Sequence, residues 1–148
     1  MTNARVSFIF SETNLSDTLQ KPMAVGVEWL IEAEGCEPRY LSDERVLKQI
    51  FAGVIADLDL HVLHSFWHCF PFPAGITGFA ALSESHLACH TYPEHGIATF
   101  NLYCCRERPQ WNWKEKLTHS LGAQSVRIIK IERGSESTVC SAAYGGNE

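Results

Sequence analysis

Several features that mark common protein classes are absent from this sequence of 148 residues. It has 12 lysines and arginines against 17 acidic residues, for a formal charge of -5, and no window concentrates the basic residues. Phosphate backbones are bound by clustered basic side chains. A nucleic-acid partner is therefore not expected.

Long apolar runs are also absent. The longest stretches, such as Val6 to Phe10 and Phe79 to Leu82, fall far below the roughly 20 residues that a membrane span requires. Residues 1–21 do not show the apolar core of a signal peptide. We therefore expect a cytoplasmic protein with no membrane partner.

The six cysteines include no C-x-x-C pair of the kind that binds zinc. A cytosolic chain long enough to bury a full core has no need of disulfides. Most of these thiols are therefore expected in the core, and no metal site is predicted.

Composition and length predict one globular domain, since 45% of the residues are hydrophobic and 20% are charged. Residues 1–23 form a polar leader that is expected to be mobile, as is the Gly- and Ser-rich tail at 135–148. The domain itself is predicted to occupy residues 24–134.

Hydrophobic periodicity predicts helices and strands in a clear order. One helix is capped by Ser42 and carries an apolar stripe through Leu47 to Leu58, and a second covers Trp113 to Leu121 and ends at Gly122. Strands are predicted at 25–31, 60–70, 76–83 with 86–92, 97–105 and, last in the chain, 126–132. This order favours an α+β fold, a two-layer α/β sandwich in which a mainly antiparallel sheet carries two helices on one face. The other face is left uncovered, which favours a dimer.

Alternation along the strands separates their side chains into two faces. Cys104 is predicted to enter the core, whereas Cys105 and His90 are predicted to share the open face. The turn at 93–96 would then bring His90 near Cys105. A thiol beside an imidazole is what a cysteine hydrolase offers, but two unrelated polar residues would give the same pattern.

The run LSESHLACHTYPEHG, Leu82 to Gly96, resembles the processing segment of the prokaryotic S-adenosylmethionine decarboxylase proenzymes. Weaker resemblance extends from about Gly26 to Gly134. It includes the Gly-Ile-Thr-Gly stretch at 75–78, a cysteine fifteen positions after His90, and an Ile-Glu-Arg-Gly finish.

The resemblance implies self-cleavage between Glu84 and Ser85 into chains 1–84 and 85–148, with Ser85 converted to a pyruvoyl group. Thr77 corresponds to the residue that supports the tetrahedral intermediate, and His90 to the base that removes the Ser85 α-proton. The ketone of the covalent pyruvoyl group would condense with the substrate amine, so neither pyridoxal phosphate nor a metal is implied. Cys105 corresponds to the acid that protonates the carbanion, a role that suits a thiol at neutral pH.

Substrate contacts are implied by the same resemblance. Glu94 corresponds to the glutamate that binds the ribose hydroxyls, Phe70 to the ring that stacks on adenine, and Tyr92 faces the sulfonium. Phe72 competes with Phe70, because the loop differs in length from the family pattern. Glu28 stands where the family usually has histidine, and an acid there suits a second cationic end.

Three functions follow. The first is a decarboxylase of S-adenosylmethionine that acts as a homodimer in polyamine (spermidine) synthesis. The second is a pyruvoyl decarboxylase of ornithine or arginine. The third is a non-catalytic regulatory paralogue, which the presence of Glu84, Ser85, His90 and Cys105 disfavours.

Overall fold

A computed structural model describes residues 25–134 and 140–143. Within these residues the strands are β1 (Gly26–Glu34), β2 (Val62–Cys69), β3 (Ile76–Leu82), β4 (Ser85–Tyr92), β5 (Ile97–Cys104), β6 (Ser125–Arg133) and β7 (Cys140–Ala143). They form one sheet in the order β2-β3-β4-β5-β1-β6-β7, and every neighbouring pair is antiparallel. The predicted α+β sandwich is confirmed.

The helices are α1 (Pro38–Leu41), α2 (Glu44–Asp57) and α3 (Trp113–Leu121), with a single 3-10 turn at Pro93–His95. Both predicted helices are present, and α3 has the predicted bounds. α1 was not predicted, because one turn is too short to show a periodic pattern. β7 was also not predicted, so the strand at 125–133 is not the last one. The leader at 1–23 and the rest of the predicted tail, 135–139 and 144–148, lie outside the described residues.

The N-terminal cap of α2 differs from the prediction by one residue. The Asp43 carboxylate accepts a hydrogen bond of 2.9 Å from the backbone N–H of Arg45. Ser42 instead ends α1, where its backbone N–H donates to carbonyl oxygens in that turn. The unpredicted α1 therefore takes the residue that sequence reasoning had assigned to the cap.

The core lies between one face of the sheet and helices α2 and α3. Alternate residues of β1 and β5 point into it, and Phe100 packs against Trp113 with ring centroids 5.7 Å apart. The core-facing residues of these two strands are buried: Val27, Trp29, Ile31, Ala33, Ala98, Phe100, Leu102 and Cys104. The opposite face, here called the open face, is not covered by the described helices.

Two turns that join the central strands lie at opposite ends of the sheet. Ser83 and Glu84 form the turn between β3 and β4, and the 3-10 turn joins β4 to β5. We call these the Ser85 end and the His90 end of the sheet. One turn precedes β4 and the other follows it, so the two turns are separated by the full length of that strand.

Candidate active site

The Glu84–Ser85 peptide bond lies where the β3–β4 turn enters β4. The backbone N–H of Cys105 donates a hydrogen bond of 2.8 Å to the carbonyl oxygen of Glu84. This bond polarises the carbonyl and holds its oxygen in a fixed direction. The serine that begins β4 therefore follows a peptide carbonyl that already has a donor in place.

Cys105 is brought to this end by the pairing of β4 with β5. Ser85 lies opposite Cys104, and Cys105 follows directly as an exposed residue. Cys104 is buried, as predicted, and burial raises the pKa of its thiol. Of these two neighbouring cysteines, Cys105 is thus the one accessible to a ligand.

The other cysteines between residues 25 and 134 divide the same way. Cys36 and Cys89 are buried, and burial raises their pKa values to about 11 and about 12, which suits inert core thiols. Cys69 is exposed, contrary to the general expectation, and donates to the Glu44 carboxylate at 3.0 Å.

The expected proximity of His90 to Cys105 is wrong. A hairpin pairs residues at equal distances from its turn, so His90 lies opposite Thr99 while Ser85 lies opposite Cys104. Five residue steps along an extended strand lead from Ser85 to His90, a distance of about 17 Å at the usual rise per residue. Ser85 and His90 were both expected to act at the same site, but the register of the hairpin places them at opposite ends of the sheet within one chain.

Other predicted site residues collect at the His90 end. Thr77 lies opposite His90 on β3, and its Oγ1 is 3.0 Å from His90 Nδ1. Tyr92 and Glu94 follow on the same hairpin and are exposed. Phe70 is 48% exposed just beyond β2, in a loop closed by a hydrogen bond of 2.9 Å from its N–H to Gly75 O. Phe72, the alternative to Phe70 as the ring that stacks on adenine, lies in this loop and is 90% exposed.

Glu28 lies on the open face near the Ser85 end, opposite Tyr103. It accepts a hydrogen bond of 2.8 Å from Asn101 Nδ2 and forms an ion pair with Arg133. Partial burial acts to raise the pKa of Glu28, but the hydrogen bonds from Asn101 and Arg133 outweigh it, so the pKa is lowered. The Glu28 carboxylate is therefore already engaged by partners from its own chain.

Sequence reasoning missed two further residues at the Ser85 end. Arg106 Nη2 forms an ion pair of 2.6 Å with Glu84 Oε1. Tyr103 donates from its hydroxyl to Val25 O at 3.2 Å and stacks on His86, whose Nε2 is 3.0 Å from Asn101 Oδ1. Arg106 follows Cys105 directly in the sequence, so its position was the available signal.

Between residues 25 and 134, no three His, Cys, Asp or Glu side chains converge as metal ligands. None of the helices there has the length and apolar character of a membrane span.

The fold and the Glu84–Ser85 peptide bond together define a class of protein: a two-layer α+β domain in which the serine that starts a strand follows a polarised peptide carbonyl. The family model for S-adenosylmethionine decarboxylase matches residues 27–134. The chain therefore belongs to the S-adenosylmethionine decarboxylase family.

Individual relatives agree with this assignment. An S-adenosylmethionine decarboxylase proenzyme of Moorella thermoacetica is 34% identical over 112 residues, which cover 75% of this chain and 89% of the relative. A protein of the same name from Pyrococcus abyssi is 30% identical over 116 residues, covering 76% and 81%. The crystal structure of the adenosylmethionine decarboxylase from Aquifex aeolicus has a TM-score of 0.63 at 24% identity, and the match covers 77% of this chain and 94% of that one. This structure supports the fold.

Proposed function

We propose that the chain is a self-processing, pyruvoyl-dependent S-adenosylmethionine decarboxylase that cleaves itself between Glu84 and Ser85. The observation that carries this proposal is the Glu84 carbonyl held at 2.8 Å by the Cys105 N–H, directly before the serine that starts β4. Membership of a family whose relatives are named proenzymes supports it.

Cleavage begins when the Ser85 hydroxyl attacks the carbonyl carbon of Glu84. A C–O bond forms, the C–N bond breaks, and the hydroxyl proton ends on the released amine, which leaves an ester. The negative charge of the tetrahedral intermediate develops on the oxygen that already accepts from Cys105 N–H. A second donor, the Thr77 hydroxyl at the His90 end of the partner protomer in the proposed homodimer, corresponds to the family residue that supports this intermediate.

The ester is then broken by elimination. The His90 imidazole of the partner protomer removes the Ser85 α-proton, and the electron pair expels the ester oxygen as the new Glu84 carboxylate. The resulting dehydroalanine takes up water and releases ammonia, which leaves a pyruvoyl group at the start of chain 85–148. Thr77 Oγ1, at 3.0 Å from His90 Nδ1, fixes the ring orientation and leaves the other nitrogen free for this proton.

The residues present fit a pyruvoyl group, since its carbon skeleton derives from Ser85, which follows a carbonyl already held by a donor. Once formed, the group supplies a ketone for the substrate amine and accepts electrons when carbon dioxide leaves. The exposed Cys105 thiol, one residue past the partner of Ser85, delivers the proton that completes the product.

Substrate recognition is assigned to the His90 end. The Glu94 carboxylate accepts hydrogen bonds from the two ribose hydroxyls, and the Phe70 ring stacks on adenine. The Tyr92 ring faces the sulfonium cation. All three side chains are exposed in the single chain, so each is accessible to a ligand.

A homodimer brings the two ends together. Because about 17 Å of strand separates Ser85 from His90, each site takes Ser85 and Cys105 from one protomer and the His90 end from its partner. Two sheets that pack with their open faces together and their strands reversed give this arrangement twice, by two-fold symmetry.

The open face has the composition of a self-complementary surface. Phe66 and Phe79 pair across β2 and β3 and are 56% and 40% exposed. The acids Glu28 and Glu32 on β1 are neutralised by Arg133 and Arg127 of β6. Paired charges cost less to desolvate than isolated ones, and the exposed apolar side chains gain from burial, so this surface suits contact with a second copy.

The substrate is tested by carbon dioxide release from carboxyl-labelled S-adenosylmethionine, ornithine and arginine, supplied side by side to the purified processed protein. Turnover of S-adenosylmethionine alone is expected. Preference for ornithine or arginine would replace the proposed substrate while keeping the cofactor. A processed protein that releases carbon dioxide from none of them would favour the regulatory paralogue.

A further inference from the structure

The ion pair between Glu84 and Arg106 lies at the proposed cleavage junction and has no part in the steps described above. Arg106 Nη2 is 2.6 Å from Glu84 Oε1, and the two side chains are 72% and 37% exposed. They flank a small pocket of ≈ 50 Å³ that is also lined by Ser85, Cys104 and Arg108.

The contact matters because of where its two residues stand in the chain. Cys105 and Arg106 are consecutive: the backbone N–H of Cys105 binds the carbonyl oxygen of Glu84, and the side chain of Arg106 binds its carboxylate. One dipeptide therefore holds Glu84 at two points. A turn residue fixed at a single point can still rotate its peptide plane, whereas two contacts restrict that rotation.

Rotation of this plane decides whether the proposed attack can occur. The negative charge of the intermediate is stabilised only while the carbonyl oxygen stays on its donor, so loss of that hydrogen bond lowers the fraction of chains ready to react. The N–H of Cys105 is a backbone group and is the same for any residue there. The ion pair is the part of this arrangement that depends on side-chain identity.

We infer that Arg106 is a positioning residue for self-cleavage: through the Glu84 carboxylate it keeps the Glu84–Ser85 carbonyl on the Cys105 N–H. This inference rests on the proposed function. Arg106 makes no bond to the reacting atoms, and its effect is limited to that of an exposed ion pair, about two- to fivefold in rate.

A double-mutant cycle tests this directly. The chain is made by cell-free synthesis, and the appearance of fragments 1–84 and 85–148 is followed on denaturing gels. Arg106→Gln and Glu84→Gln are each expected to slow cleavage about two- to fivefold, and the double variant no further. Additive losses, or wild-type rates in Arg106→Gln, would overturn the inference.

Two further variants separate positioning from a general structural effect. Arg106→Lys restores a cation and is expected to recover part of the rate. Arg108→Gln removes a nearby pocket arginine for which no ion pair occurs within residues 25–134, and it should cleave at the wild-type rate. An equal loss in Arg108→Gln would instead assign the effect to the net charge of the pocket and overturn the pairing with Glu84.

Salt gives an independent readout. Since an exposed ion pair is screened, raising the ionic strength should slow the wild type toward Arg106→Gln and leave that variant almost unchanged. Equal salt dependence in both would contradict the inference. A wild-type chain that never cleaves would contradict the proposed function itself, so the two failures are distinguishable.

Discussion

Cys105 serves the proposed chemistry through two different parts of the same residue. Its backbone N–H holds the Glu84 carbonyl at 2.8 Å before cleavage, and its exposed thiol is available as a proton donor afterwards. A substitution that keeps the backbone and removes the thiol separates these roles.

Cys105→Ala is therefore expected to cleave normally and to decarboxylate poorly. The N–H remains on the carbonyl, whereas loss of a positioned acid costs about 100- to 10,000-fold in turnover. Fragment yield on a denaturing gel and carbon dioxide release, measured on one preparation, check both parts. Cys69→Ala, the other exposed thiol between residues 25 and 134, is the matched control. Full activity in Cys105→Ala would remove it as the donor.

His90→Ala is expected to stop at the ester. The attack by Ser85 needs no proton from its own Cα, but elimination does, so the variant should accumulate a linkage that hydroxylamine cleaves. Thr77→Val, which removes the hydroxyl 3.0 Å from His90 Nδ1, should slow processing less severely. Normal processing of His90→Ala would contradict its role as the base.

At the scale of elements, the start of α2 offers a measurable contrast. Asp43→Ala removes the side-chain cap on Arg45 N–H and is expected to lower the free energy of unfolding by about 0.5–2 kcal/mol. Ser42→Ala, which deletes an exposed hydroxyl, should change it by less than about 0.5 kcal/mol. Urea midpoints in an uncleaved Ser85→Ala background provide the comparison, and equal losses would contradict the cap assignment.

Alternation and periodicity predicted most of this element structure. The buried positions of β5 and the bounds of α3 follow from the sequence, because the spacing of apolar residues in an amphipathic element indicates which side faces the core. α1 and β7 were not predicted, because a helix of one turn and a strand of four residues are too short to show a periodic pattern of apolar residues. The Ser42 cap was misassigned for the same reason: α1 ends there.

The site was predicted less completely than the fold. Family resemblance identified Ser85 and His90, and alternation predicted that His90 and Cys105 would share a face, but neither states how far apart residues on one face lie. That distance follows from the hairpin register, in which Ser85 pairs with Cys104 and His90 with Thr99. Arg106 was missed because its position directly after Cys105 does not by itself identify Glu84 as the partner of its side chain.

At the scale of the whole molecule, the proposed homodimer shares each site between its two protomers. Ser85→Ala and His90→Ala chains, each expected to be inactive alone, should complement when co-expressed, because a mixed pair in that dimer contains one site with an intact serine and an intact histidine. The cleaved chain should be the His90→Ala one, which an affinity tag identifies.

The same experiment distinguishes this shared site from a site within one chain. If His90 served only its own Ser85, the tagged His90→Ala chain would stay unprocessed in every mixture. Co-expression of two differently tagged Ser85→Ala chains is the control for mixing, since it provides dimers without a reactive serine and should give no fragments.

The central claim is that Ser85 breaks its own backbone, and intact mass measurement of freshly purified protein under denaturing conditions tests it most directly. The account predicts two chains, 1–84 and 85–148, the second lighter by one ammonia than a fragment that begins with serine, and a single uncleaved chain for Ser85→Ala. A full-length chain with an ordinary serine at residue 85 that still releases carbon dioxide from S-adenosylmethionine would contradict the account.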